Sequence, residues 1–233
     1  MAPRSETRAT DENGSLRYRY ERKFVVAGVS QAEAELIVKR HPALFFAEYP
    51  GRWVNNVYWD RIDLANVRNN LIGISDRKKT RIRWYGEFQG RVEEPVLEHK
   101  LRRGGVGRKE TQRLTPFEVG AALEPARLPK MTAPGDVVLR PTLLNRYSRR
   151  YFRSANRRFR LTIDTALSYH RVGPLTTPLR SWVVDSEAIL IELKYSTAYD
   201  DLATQVMSYF PFRSSRSSKY VTGMQLTDPR VRI

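Results

Sequence analysis

Between Arg77 and Arg102, charged and apolar positions alternate along two consecutive runs, Arg77-Lys-Lys-Thr-Arg81-Ile-Arg83-Trp-Tyr85 and Pro95-Val-Leu-Glu98-His-Lys100-Leu-Arg102. Side chains alternate faces along a strand, so Arg81, Arg83 and Tyr85 share one face, opposite Ile82 and Trp84. In the second run Glu98, Lys100 and Arg102 lie opposite Leu97, His99 and Leu101. The same grammar recurs in Glu21-Arg-Lys23, Arg158-Phe-Arg160 and Glu192-Leu-Lys194. Segments far apart in the chain each put charge, mostly cationic, on one face and mostly apolar groups on the other.

The remaining elements fall into place around these strands. Residues 1 to about 16 lack periodicity and predict a disordered lead-in. A first strand is predicted over Arg17–Ala27. Ser30-Gln-Ala-Glu33 has the spacing of a capping box, which predicts a helix over Gln31–Arg40, ended near Pro42. Leu44–Tyr49 and Val54–Asp60 read as two strands turning at Pro50-Gly51, and Leu64–Ile74 as a short helix. The two alternating runs are joined by a polar turn around Gly90. Gly104–Lys109 reads as a flexible loop and Glu110–Leu114 as a short strand. Thr115, as cap to Pro116, predicts a second helix. Pro125–Gly135 is a loop, and Val137–Arg153 is one long strand or two with a bend. Phe159–Leu167 is another strand, and Val172–Leu179 a connection. Trp182–Val184 and Ala188–Tyr195 form the last strand pair. Tyr199–Phe210 carries the stripe Leu202, Val206, Met207 and Phe210 of a core helix, and a Ser/Arg loop then leads to Lys219-Tyr220.

Many strands with a few interspersed helices and no internal repeat predict an α+β single domain over residues 17–233, dominated by antiparallel sheet. The 233 residues suffice for a real core.

Charge changes the picture. Lys and Arg number 41 against 25 Asp and Glu, a net charge of +16 that favours polyanionic partners. The absence of cysteine excludes disulfides, thiolate metal sites and cysteine nucleophiles, and three histidines argue against a histidine-rich metal site. No stretch approaches the roughly 18–20 apolar residues of a membrane span. Residues 1–15 lack the apolar core of a signal peptide, so a soluble cytoplasmic protein is expected.

The charged faces can be the solvated side of an ordinary sheet. Alternatively the sheet closes on itself with those faces inward, making a tunnel lined by cations and a few carboxylates. Buried cations must be paired, so such a tunnel makes sense only around a dense polyanion and a metal. Arginine presents a planar fork that suits phosphate oxygens, and lysine a compact charge. Gly104–Gly107 does not satisfy the Walker pattern, no Gly-x-Ser-x-Gly elbow occurs, and His99 reads as a packed or hydrogen-bonded core residue.

Seven pieces in order carry a resemblance: Glu21-Arg-Lys23-Phe24, Arg81-Ile-Arg83-Trp-Tyr85, Glu98-His-Lys100, Tyr147-Ser-Arg149, Arg158-Phe-Arg160-Leu-Thr-Ile-Asp164, Ile191-Glu192-Leu-Lys194 and Ser218-Lys219-Tyr220. With these, the chain resembles the VTC (vacuolar transporter chaperone) polyphosphate polymerase domain. That domain lies within the triphosphate tunnel metalloenzyme superfamily, which also includes the CYTH proteins. The resemblance spans about Arg17 to Met224.

It implies an antiparallel β-barrel tunnel with a few packed helices. It also implies that Lys23, Arg81, Arg83, Lys100, Arg149, Arg160 and Lys219 hold phosphates. Tyr147 would contact phosphate or nucleotide, Lys194 and Lys109 would join the phosphate site, and Glu192 would hold Mn2+ or Mg2+. The in-facing carboxylates placed by pattern are Glu21, Glu98 and Glu192, a thin set that favours one metal and transfer over hydrolysis. Glu98 is expected to pair with Lys100 and orient it. The regulatory and membrane segments of eukaryotic relatives are missing, which suggests a stand-alone, prokaryote-style version.

The activity so implied is metal-dependent transfer of the ATP γ-phosphate to a growing inorganic polyphosphate chain. ATP and polyphosphate would be the partners, with no specific nucleic acid and with room for a membrane-protein partner that takes the product. Lys23 and Lys219 would neutralise charge near the reacting phosphorus. Two rivals stand beside it: a triphosphate or nucleoside-triphosphate hydrolase on the same scaffold, and a non-catalytic binder of polyphosphate or nucleic acid.

Overall fold

Alternation closes into a barrel in the computed structural model, which describes residues 19–231 apart from 104–105, 126–127, 134, 136, 174, 176 and 180–181. The expected lead-in and the first two residues of the expected first strand lie outside the described residues. The first half of the chain runs β1 (Arg19–Val26), α1 (Gln31–Lys39), β2 (Phe46–Asp60), α2 (Ala65–Leu71), β3 (Arg77–Tyr85), β4 (Gly90–Val92), β5 (Val96–Arg103) and β6 (Val106–Arg113). Short strands β7 (Phe117–Val119), β8 (Ala122–Leu123) and β9 (Met131–Ala133) follow. The second half is β10 (Val137–Arg153), β11 (Phe159–Arg171), β12 (Thr177–Pro178), β13 (Val183–Asp185), β14 (Ile189–Ser196), α3 (Asp200–Ser208) and α4 (Lys219–Thr227).

The barrel order is β11-β14-β1-β6-β5-β3-β2-β10, with β10 pairing back onto β11 and every contact antiparallel. The closing seam between β1 and β6 is anchored by the pair Arg19 and Gly107. Closure removes sheet edges and fixes two faces, one outward and one inward.

Outward apolar residues are covered in two places. Phe24, Phe152, Leu161, Ile163, Ile191 and Leu193 pack beneath Ala34 and Val38 of α1 and Ala203 of α3. Trp59, Ile82, Trp84 and Leu144 pack against Phe88, Val92 and Val119, around the small β4–β7 sheet. The predicted capping box holds α1: Ser30 Oγ accepts from the Glu33 amide, and the Glu33 carboxylate accepts from the Ser30 amide.

A third cluster lies on the inward face, where Tyr220 and Met224 of α4 meet Val54, Leu143, Tyr147 and Tyr169. A register shift in the β10–β11 ladder, with Ala166 left-handed at φ 51°, lets Leu167 and Tyr169 continue the face begun by Asp164. Gly223 of α4 lies against the Tyr169 ring and Leu143, where a Cβ would overlap both.

Several expectations are corrected. Pro50-Gly51 is not a turn: β2 runs straight through it, because β2 pairs with β3 only over Val54–Trp59 and the missing proline N–H is not needed on that edge. A register shift opposite Arg150 absorbs the irregularity. Thr115-Pro116 does not begin a helix; Phe117 and Val119 of β7 both turn toward the outer face of the barrel wall, and Phe117 packs edge-on against Trp84. The loop predicted through Lys109 ends earlier, with β6 already formed at Val106. β13 and β14 do not pair with each other but flank β11. The chain around Lys219 is helical, as α4. His99 sits as expected, its Nδ1 3.0 Å from the Thr80 hydroxyl.

Candidate active site in the barrel interior

On one wall, β3 and β5 face each other with Arg81 directly opposite Glu98. Arg81 Nε donates to Glu98 Oε2 at 2.7 Å, and Arg83 Nη1 lies 3.6 Å from Oε1 of the same carboxylate. Lys109, from β6, reaches Oε1 at 3.2 Å. Arg83 also donates to Asn56 on β2 and across to the Tyr147 hydroxyl on β10, at 3.0 and 3.2 Å.

On the facing wall, Arg149 of β10 forks onto Asp164 of β11 with two bonds of 2.6 and 2.7 Å. Helix α4 delivers a second cation to the same group: Lys219 Nζ is 2.6 Å from Asp164 Oδ2 and 3.4 Å from Glu192 Oε1. Glu192, on β14, further meets Lys194 at 2.9 Å, Arg149 at 3.6 Å and Lys23 at 3.7 Å. Lys23 is shared with Glu21 at 3.1 Å, and Glu21 takes Lys100 at 2.8 Å.

These contacts form two ion-pair groups, one around Glu98 on β3, β5 and β6 and one around Asp164, Glu192 and Glu21 on β1, β5, β10, β11, β14 and α4. Cations outnumber carboxylates in both, and Tyr147 lies between them, bonded to Arg83 and beneath the Lys219 ammonium. Burial alone would raise the Glu192 carboxyl, but Lys194, Lys219, Lys23 and Arg149 hold it well below the usual range. Glu98 is likewise held low by Arg81, Arg83 and Lys109 against the effect of burial, and Glu21 by Lys100 and Lys23. Tyr147 is held below its ordinary value, because Arg149, Arg83 and Lys219 outweigh its burial. Lys79, on the inward face of β3, goes the other way: burial, then Lys23, Lys100, Arg77 and Arg81, push its ammonium well below the usual range.

The structure therefore gathers Lys23, Arg81, Arg83, Lys100, Lys109, Arg149, Lys194 and Lys219 around Glu21, Glu98 and Glu192, with Tyr147 among them. Arg160 stands apart, its side chain 43% exposed at the rim and 4.0 Å from Glu48. Glu98 does not orient Lys100. Register puts Glu98 opposite Arg81, and Lys100, two residues on, takes Glu21 instead.

Sequence reasoning left Asp164, Lys79 and Thr162 without a role. Alternation from Arg160 through Thr162 to Asp164 could have placed the last two on the inward face. Thr162 Oγ1 is buried directly across from Glu192 and finds no hydrogen-bond partner among the described residues. It is a donor to spare beside the carboxylate.

Glu21 and Glu192 lie against the same ammonium, Lys23, and form a hard-oxygen pair. As hard-oxygen donors, the two carboxylates would suit one Mg2+ or Mn2+. A larger cage is not built: among the described residues no group of three or more His, Asp or Glu side chains could enclose a metal.

The sequence model of the VTC domain matches residues 18–227. A comparison with curated proteins gives no match. Among solved structures, a candidate adenylate cyclase from Vibrio parahaemolyticus aligns over 88% of this chain and 98% of its own, at 11% identity and a TM-score of 0.49. A candidate adenylyl cyclase from Hippeastrum, with a dominant triphosphatase activity, aligns over 93% and 99% at 14% identity and a TM-score of 0.48. Among the described residues no helix is long and apolar enough to cross a membrane.

Proposed function

The chain belongs to the VTC domain family, and from that premise we propose that it transfers the γ-phosphate of ATP onto a growing inorganic polyphosphate chain inside the barrel. The observation that carries the reading is the setting of Glu192. One buried carboxylate meets four cations, Lys23, Lys194, Lys219 and Arg149, that come from four separate elements. Such convergence is costly to build for stability alone, since buried ion pairs seldom repay their desolvation. It suits a dense anion that takes the place of the carboxylates as counterion.

Phosphoryl transfer needs positioning and charge neutralisation more than a protein nucleophile. Arg81, Arg83 and Arg149 hold the triphosphate. The terminal phosphate oxygen of the polyphosphate attacks the γ-phosphorus, the bond to the β–γ bridging oxygen breaks, and ADP leaves with that oxygen. The attacking oxygen is already ionised, so no base is needed. Lys23 and Lys219 neutralise charge at the reacting phosphorus, and the Thr162 hydroxyl donates to a phosphate oxygen beside Glu192. A divalent Mn2+ or Mg2+ held by Glu192, with Glu21 adjacent, would supply further neutralisation of phosphate oxygens.

Incubation with ATP and Mn2+ or Mg2+, followed by sizing of the anionic product, tests the reading. Long chains are expected; orthophosphate alone would make the protein a hydrolase. Glu192→Gln is expected to abolish turnover while binding of inorganic tripolyphosphate survives. Normal turnover in that variant would remove the metal assignment.

A further inference from the structure

Residues 213–218, Arg-Ser-Ser-Arg-Ser-Ser, lie along β1, where Phe24 bridges to Ser214 and the Ser215 amide donates to the Lys23 carbonyl at 2.8 Å. The run ends on Ser218, whose Oγ is 2.6 Å from Nζ of Lys79 on the inward face of β3. We propose that Ser218 is a nucleophile toward ATP: Lys79 takes its hydroxyl proton, and the γ-phosphate becomes attached to Oγ as phosphoserine. The inference rests on the phosphate-binding reading of the interior and adds to it a covalent acceptor, so that the protein phosphorylates itself.

A serine hydroxyl is a weak nucleophile until a base takes its proton, and a lysine can be that base only as the neutral amine. Lys79 is placed to be neutral. Burial works against its charged form, and the charges that act on it most strongly, Lys23 of β1, Lys100 of β5 and Arg77 and Arg81 of β3 itself, are all cations. As an ammonium it donates to Ser218 Oγ. As an amine in the same position it accepts from the hydroxyl.

The hydroxyl also stands beside the groups that would hold a reacting phosphate. Lys219, next in the chain, sends its ammonium to Asp164 and Glu192. Lys23 donates to the Ser217 carbonyl at 2.9 Å while lying 3.7 Å from Glu192. The two ammoniums that neutralise charge at the reacting phosphorus therefore flank Ser218. Ser218 is the N-cap of α4 as well, its Oγ accepting from the Val221 amide at 3.4 Å, and a helix N-terminus favours the charge that a phosphate would add. Ser215 of the same run instead accepts from the Val25 amide, at an exposed contact of 3.1 Å. In the step itself, Ser218 Oγ bonds to the γ-phosphorus as the bond to the β–γ bridging oxygen breaks. ADP leaves with that oxygen, and the hydroxyl proton goes to Lys79 Nζ. ATP is the only co-reactant.

Incubation of the full chain with Mg2+ and ATP radiolabelled in the γ-phosphate, followed by acid precipitation and peptide mapping, tests this. Acid-stable label is expected on the peptide that holds Ser218. Ser218→Asn keeps an oxygen for the helix cap, so it should melt near the wild-type temperature while taking up no label. Lys79→Met should slow labelling about a hundredfold, as loss of a general base does. Consumption of ATP and formation of polyphosphate, followed in the same samples, keep the two readings apart. Absence of acid-stable label while ATP is consumed, label on a different residue, or wild-type labelling in either variant overturns the nucleophile and leaves the interior reading in place. If ATP is left unchanged and nothing is labelled, both fall together.

Discussion

Lys219 Nζ lies 2.6 Å from Asp164 Oδ2, and the two side chains are almost wholly withdrawn from solvent. Asp164 holds Arg149 as well, so one carboxylate neutralises two buried cations from β10 and α4. Removing it as Asp164→Ala leaves both with Glu192 alone, at 3.6 and 3.4 Å, as counter-charge. A loss of about 3–5 kcal/mol is expected in denaturant unfolding. Saturating tripolyphosphate should raise the melting temperature of the variant more than that of wild type, since the ligand supplies the missing charge. Equal shifts in the two proteins would contradict this.

Acid should act on both ion-pair groups. Glu21, Glu98 and Glu192 are held well below the ordinary carboxyl range in the folded protein. As pH falls, the unfolded chain takes up protons first, near the usual value of about 4.3. The stabilisation is therefore complete above that pH and drains away as pH drops toward the folded values. Thermal midpoints should be level between about pH 5 and 7 and fall below about pH 4.5. A midpoint that holds steady down to pH 3 would show that these carboxylates do not carry stability.

Lys79 donates to the Ser218 hydroxyl at 2.6 Å, and burial, reinforced by neighbouring cations, depresses its ammonium. A polyanion reverses the neighbours' effect, so binding should draw a proton onto Lys79. In mildly alkaline solution the calorimetric enthalpy of tripolyphosphate binding should vary with the ionisation enthalpy of the buffer, and Lys79→Met should shrink that dependence. Identical enthalpies across buffers would argue against proton uptake.

Gly223 sets α4 close against the barrel wall, and a methyl there would overlap the Tyr169 ring and a Leu143 methyl. Gly223→Ala gains helix propensity of about 1 kcal/mol and meets overpacking of about 1–3 kcal/mol. A net loss is expected in thermal unfolding. Turnover should fall further than stability does, because Lys219 rides on the same helix. A more stable, fully active variant would mean that α4 has room to move.

Much of this site could be read from alternation alone. Arg81, Arg83, Glu98, Glu192 and Lys194 occupy the faces that period two assigns them, and the capping box at Ser30 begins a helix where expected. Misreadings came where a local pattern met a distant partner. Pro50-Gly51 resembles a turn only until β10 is known to run alongside. Thr115-Pro116 resembles a cap only until Phe117 is drawn to Trp84. Glu98 was matched with Lys100 because they are neighbours on one strand, whereas its nearest cation lies across the ladder. Helix α4 was missed because Lys219-Tyr-Val-Thr-Gly223 has poor intrinsic propensity, and what stabilises it is packing of Tyr220 and Met224 within the barrel. The role of Asp164 depends on that helix and was hidden with it.

Because α4 follows every barrel strand in the chain, the ion pairs of Lys219 have a built-in order of assembly. A ribosome extends the chain from the N-terminus, so β1 to β14 emerge with Asp164 and Glu192 still lacking one of their counterions. The charge balance of the interior is completed only when the helix that follows those strands docks and brings its ammonium with it.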